Sequence, residues 1–142
     1  VEHVENPSQI LKKAHEMLNP GGLVLVQTPN FQCWDARFFR RRSWAGLHTP
    51  RHWVLFCPDS FMRLAEDSGF QVAHWQYLQG ASFWASTLLG IAAKWGLVRI
   101  DQSRSSLEHP LFGALVAGCA ALDLARRFFR IPTAQMLFAL KK

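Results

Sequence analysis

Ile10, Leu11, Ala14, Met17 and Leu18 recur at three- and four-residue spacing, with Lys12, Lys13, His15 and Glu16 between them. That pattern predicts a surface helix with one apolar stripe. Asn6 suits its N-cap, Pro7 the first helical position, and Gln9 can complete a capping box. Pro20-Gly21 then fits a type II turn, whose second central residue needs the positive φ that glycine takes without steric cost. Leu23 to Thr28 is continuously apolar before Gln27, which predicts a strand covered on both faces. Helix, turn, strand and exit at Pro29-Asn30 describe one step of a doubly wound α/β sheet. Ligands of such sheets sit beyond the carboxyl ends of strands, so Thr28, Pro29 and Asn30 are expected at the functional rim.

Further along, Pro58 to Asp67 reads as a helix stopped by Gly69, and Phe70 to Trp75 as a strand near a sheet edge, with His74 a surface residue. Ala81 to Leu97 and Pro110 to Phe129 read as two apolar helices joined by a polar turn at Ser103 to Ser106, with Arg126, Arg127 and Arg130 at the dipole-favoured end of the second. Each run falls short of the ~20 apolar residues that a membrane span requires, and Lys94 or Asp123 interrupts it. Two readings stay open for residues 81–129: packing on the protein's own core as a lid or dimer contact, or resting in a membrane interface. Ala134 to Leu140 follows the Pro132 break as a last strand. Phe31 to Phe56 has no period and is rich in aromatics and arginines, as expected of a lid or binding loop. Arg40 to Arg42 reads as a solvated face rather than a nucleic-acid surface. His48 and His52 are four apart, but Pro50 opposes the helix that would bring them together, so no metal pair is expected there.

Composition adds three points. At 142 residues and 49% apolar, the chain has material for one core. The formal charge of +6 favours anionic partners without naming one. Cys33, Cys57 and Cys119 form no paired motif, which points to reduced thiols in a cytosol-like compartment and no zinc site. The chain opens on Val1, with a helix start six residues in, and so reads as a piece of a longer protein.

No nucleophile elbow occurs, and Gly21-Gly22 lies between helix and strand, the reverse of the order a nucleotide loop needs. Spacing alone makes Glu2 and His3 solvated residues. However, Glu2-His3-Val4 before Asn6-Pro7, Leu18-Asn19-Pro20-Gly21-Gly22, Thr28-Pro29-Asn30, Pro50-Arg51-His52-Trp53 to Phe56, and Gly69-Phe70 follow one another in a recognisable order. In that order they resemble class I S-adenosylmethionine-dependent methyltransferases, the group that includes ubiquinone-type O-methyltransferases.

The resemblance implies the carboxyl-terminal part of a Rossmann-like α/β sheet. Leu23 to Thr28 would be strand five, Phe70 to Trp75 strand six, and Ala134 to Leu140 an antiparallel strand seven inserted between them. Residues 1–76 would form the core α/β part, 80–130 an apolar two-helix insertion and 134–142 the final strand. The family's Gly-rich cofactor loop and its acidic partner belong to earlier strands, so S-adenosylmethionine would be gripped mainly by residues before Val1. The resemblance places Glu2 and His3 at the cofactor, His3 and His52 in catalysis, and Asn30, Arg51 and His52 at a small-molecule acceptor. No metal is assigned, because a third ligand to the Glu-His pair would precede Val1. An acceptor of lipid-like character would account for the apolar insertion, and an unpaired edge on strand five would promote self-association. The alternative is a non-catalytic membrane- or partner-binding module on the same scaffold.

Overall fold

The computed structural model describes residues 1–39, 44–100, 106–129 and 131–142. Arg40 to Arg42, Ser103 to Ser105 and Arg130 lie outside them, so the expectations on the arginine cluster and most of the polar turn do too.

Helix α1 (Pro7–Met17) starts as its sequence dictates, with the Asn6 side chain accepting from the Gln9 backbone N–H at 3.1 Å. Its buried stripe is narrower than the periodicity suggests: Leu11 is buried, whereas Ile10 and Met17 are exposed. Gly21 takes φ +76°, and the turn closes with Gly22 N–H donating to the Asn19 carbonyl at 2.8 Å. Strand β1 (Leu23–Pro29) follows, then short α2 (Trp34–Phe39), which the aperiodic sequence did not announce. A 3-10 turn at Ala45–Leu47 leads to α3 (Pro58–Asp67), β2 (Gln71–Leu78), α4 (Ala81–Lys94), α5 (Phe112–Phe128) and β3 (Gln135–Lys141).

The sheet order is β1-β3-β2, with β3 antiparallel to both neighbours, so the last strand enters between the first two as the resemblance implied. Alternation along β3 buries Met136, Phe138 and Leu140 against Leu11 of α1 and Phe61 and Ala65 of α3. Phe61 and Phe138 are the largest fully buried side chains of this core, their ring centroids 4.4 Å apart. A second cluster of Cys33, Ala36, Trp44 and Ala134 sits where the chain leaves β1 and enters β3.

One expectation is overturned. β1 is not covered on both faces: Leu23 is 59% and Leu25 66% exposed, while Val24 and Val26 are half-buried. An apolar run shows that both faces are greasy, not that both are covered. Here α1 and α3 cover one face, whereas α4 and α5 pack on each other and α4 on the 3-10 turn at Ala45–Leu47. Among the described residues, the outer edge of β1 has no strand beside it. No helix among them is long and apolar enough to cross a membrane.

Candidate functional site

The amino-terminal segment is stitched to the loop before α3. Trp53 and Val54 donate their N–H groups to the Glu2 carbonyl, at 2.8 and 3.4 Å, and this brings His3 over His52 with ring centroids 4.8 Å apart. The Glu2 carboxylate accepts from the Thr28 hydroxyl at 3.0 Å, which fixes it at the carboxyl end of β1. Burial opposes charge on the Glu2 carboxyl, whereas bonds from its own backbone and from the Thr28 hydroxyl favour the charged form. Glu2 is therefore an anion at the rim.

Both histidines have one nitrogen committed. His3 Nδ1 lies 3.1 Å from the Arg51 carbonyl and His52 Nδ1 2.8 Å from the Gly46 carbonyl. A carbonyl only accepts, so the proton is assigned to each Nδ1, and in that neutral tautomer the lone pair is on Nε2. His3 Nε2 stands 3.7 Å from Glu2 Oε1. Glu2, His3 and His52 each offer a donor atom within 4.8 Å of the others, a set that could hold a divalent ion. Metal-bound histidines commonly have their second nitrogen tied to a backbone carbonyl in this way. Within this chain, the third candidate donor beside Glu2 and His3 is His52.

His48 and His52 lie in no common helix, as Pro50 leads one to expect, yet their rings still meet. No helix is needed: Arg51 N–H donates to the His48 carbonyl at 2.8 Å, His48 takes φ +39°, and the two rings meet edge to face at 5.0 Å. Burial, then the charges of His52, Arg51 and His3, push the His48 pKa down.

Two of the expected acceptor residues stand differently. The Arg51 residue is exposed, and its carbonyl is what orients His3. Asn30 is fully buried; its Nδ2 donates to the Thr133 carbonyl and its Oδ1 accepts from Gln32 N–H, both at 3.0 Å. Asn30 therefore joins the exit of β1 to the entrance of β3, and its amide is spent on the fold instead of being presented to a ligand.

A polar centre that sequence reasoning missed lies under the helical hairpin. Arg126 donates to Asp35 Oδ1 at 2.8 Å, to Asp123 Oδ1 at 3.0 Å and to the Pro132 carbonyl at 2.8 Å. Asp123 Oδ2 accepts from Gly80 N–H at 2.6 Å. Arg126 thus does not cap the end of α5 in solvent beside exposed Arg127; it is turned inward. A signal was present, because Cys119, Asp123 and Arg126 occupy one helical stripe, and a charged pair on a buried stripe has to be paired.

With this geometry described, comparison with known proteins adds a family. A family model described as a methyltransferase domain matches residues 1–74, just over half of the 142. None of the curated proteins matches the sequence. Among solved structures, an S-adenosylmethionine dependent methyltransferase from Mesorhizobium loti is similar at TM-score 0.50 and 13% identity, with 99% of this chain and 57% of that one covered. A SAM dependent methyltransferase from Archaeoglobus fulgidus is similar at TM-score 0.49 and 15% identity, with 99% and 55% covered. The chain thus spans a little over half the length of these structures, and at such identities the likeness concerns the fold.

Proposed function

Because the chain belongs to the methyltransferase-domain family, matched over residues 1–74, we propose that it supplies the acceptor side of S-adenosylmethionine-dependent methyl transfer to a small, lipid-like acceptor. The observation that carries this reading is the convergence of Glu2, His3 and His52 at the carboxyl end of β1, where α/β sheets bind ligands. S-adenosylmethionine brings a methyl group on a cationic sulfur. Glu2, an anion fixed by Thr28, has the charge to lie beside that cation. The main cofactor loop would come from residues outside this chain.

His52 supplies the chemistry. Its Nδ1–H is held by the Gly46 carbonyl, so Nε2 could take the proton of an acceptor hydroxyl whose oxygen gains the methyl, the carbon–sulfur pair returning to sulfur as a neutral thioether. His3, oriented by the Arg51 carbonyl, stands beside it to position the acceptor. Most of the rate would come from alignment of the two reactants.

The test is to incubate the natural protein containing this chain with methyl-labelled S-adenosylmethionine and extracted lipids. Label entering a lipid in a protein-dependent manner is the expected result; S-adenosylmethionine binding without label in any acceptor fraction would overturn it. A second reading, a membrane- or partner-binding module, rests on exposed Leu124, Phe128 and Phe129 around Arg127. Co-sedimentation with anionic vesicles tests it, and protein left in the supernatant at low salt removes the membrane version.

A further inference from the structure

The 3-10 turn at Ala45–Leu47 carries the carbonyl that fixes His52, and the turn is itself held from α4. The peptide between Gly46 and Leu47 is bonded at both ends: the Leu47 N–H donates to the Trp44 carbonyl at 3.1 Å, and the Gly46 carbonyl stands 2.8 Å from His52 Nδ1. The first N–H of a helical turn has no partner inside it. Trp44, in the cap position, supplies none from its side chain. The Ala45 N–H instead donates to Thr87 Oγ1 of α4 at 3.0 Å, 42 residues on in the chain. Thr87 is fully buried, so loss of its hydroxyl would leave that N–H without a partner. Aromatic packing grips the same turn. The Trp44 indole meets Phe83, one turn before Thr87 on α4, edge to face at 6.3 Å between centroids. It also lies so close to Gly46 that a Cβ there would stand 2.4 Å from Trp44 Cζ2.

We propose that Thr87 is a positioning residue for His52: by holding Ala45 it keeps the Gly46 carbonyl on His52 Nδ1, and with it the proton on that nitrogen and the lone pair on Nε2. The nitrogen of a histidine ring that carries the proton is set by the hydrogen bond it makes. A neutral histidine without such a partner favours the other tautomer, with its proton on Nε2 and no lone pair left there to act as a base. The apolar hairpin is thereby coupled to the rim although Thr87 touches none of the reacting atoms. The effect on catalysis rests on the methyl-transfer reading, whereas the effect on the tautomer does not.

The test is nitrogen-15 NMR of the natural protein containing this chain, labelled at histidine and held at pH 8.5, above the ordinary histidine pKa of about 6.5. Nitrogen-15 shifts separate a protonated ring nitrogen from an unprotonated one, and His52 is assigned by the signals lost in His52→Gln. In the wild type and in Thr87→Ser, which keeps the hydroxyl, His52 is expected as the Nδ1–H tautomer. In Thr87→Val it should become a mixture of the two tautomers. His3, whose Nδ1 lies against the Arg51 carbonyl instead of the turn, should stay as in the wild type. Thr87→Ala carries the same expectation and stands in if the valine variant does not fold. In methyl transfer, Thr87→Val should lower kcat severalfold with KM for S-adenosylmethionine unchanged. The proposal is overturned if His52 keeps its wild-type tautomer in Thr87→Val, if His3 and His52 change together, or if the tautomer shifts while kcat does not. Methyl transfer absent from the wild type would remove the methyl-transfer reading and leave the tautomer result standing.

Discussion

Arg126 Nη2 donates to Asp35 Oδ1 across 2.8 Å, tying the end of α5 to the short helix that follows β1, ninety-one residues away. Both side chains are more than nine-tenths buried. A buried pair is weak evidence of net stabilisation, but removal of one partner leaves an uncompensated charge, at a cost of about 3–5 kcal/mol. Arg126→Ala, which strands two aspartates, is expected to cost that much in urea unfolding. Asp35→Asn keeps the shape and should cost clearly less, because Asp35 Oδ2 has no partner to lose and burial already pushes this carboxyl up against the pull of Arg126. Equal losses in the two variants would contradict the account.

Gly80 and Ala134 hold the start of α4 against the entrance of β3. A Cβ built on Gly80 would lie 2.4 Å from the Ala134 Cβ and 3.1 Å from its Cα, so backbone would have to move. Gly80→Ala is therefore expected to destabilise by about 1–3 kcal/mol and to weaken the Gly80 N–H bond to Asp123. Gly113→Ala, with nothing within 4 Å of its added carbon, serves as the neutral comparison in thermal melts.

The three cysteines should separate by reactivity. Burial, followed by Asp35, pushes the Cys33 thiol up to about 12, and burial raises Cys119 as well. Cys57 is half-exposed at the N-cap of α3, where its N–H donates to Ser60 Oγ at 3.0 Å. Thiolates are the reactive form. A disulfide reagent at pH 8 is expected to modify Cys57 first and Cys33 only on unfolding; mass mapping that finds Cys33 modified as fast as Cys57 would refute this.

His48 makes stability fall in mild acid. Its pKa is depressed in the folded protein, by burial first and then by its cationic neighbours, against about 6.5 in an unfolded chain. The unfolded state thus binds the proton first, so stability is complete above pH 6.5, declines as pH falls through it, and levels below the folded value. Urea midpoints at pH 7.5 and 5.5 should differ less in His48→Asn, where asparagine also tolerates the φ of +39°. An unchanged difference would remove His48 as the cause.

Local signals were legible and long-range juxtapositions were not. The Asn6 cap, the Pro20-Gly21 turn and α3 between Pro58 and Gly69 follow from neighbours in sequence, and each stands as read. The insertion of β3 between β1 and β2 came from family resemblance, since no periodicity specifies strand order. Short α2 hid in an aperiodic stretch because six residues carry too few turns to show a stripe. The rim depended on the Glu2 carbonyl catching Trp53 and Val54 N–H groups, a pairing that no spacing rule contains. The tie from Asn30 to Thr133 was hidden for the same reason, the two lying a hundred and three residues apart.

The central claim is that His52 accepts the acceptor's proton during methyl transfer, and its most direct test is the rate of label transfer by the natural protein at saturating S-adenosylmethionine. General-base loss is worth about 10²–10⁴-fold. His52→Gln is expected to lower kcat by that factor, whereas His74→Gln, changed at an exposed position on β2, should leave it unaltered. A His52→Gln protein that folds, binds the cofactor and transfers methyl groups at the wild-type rate would contradict the claim.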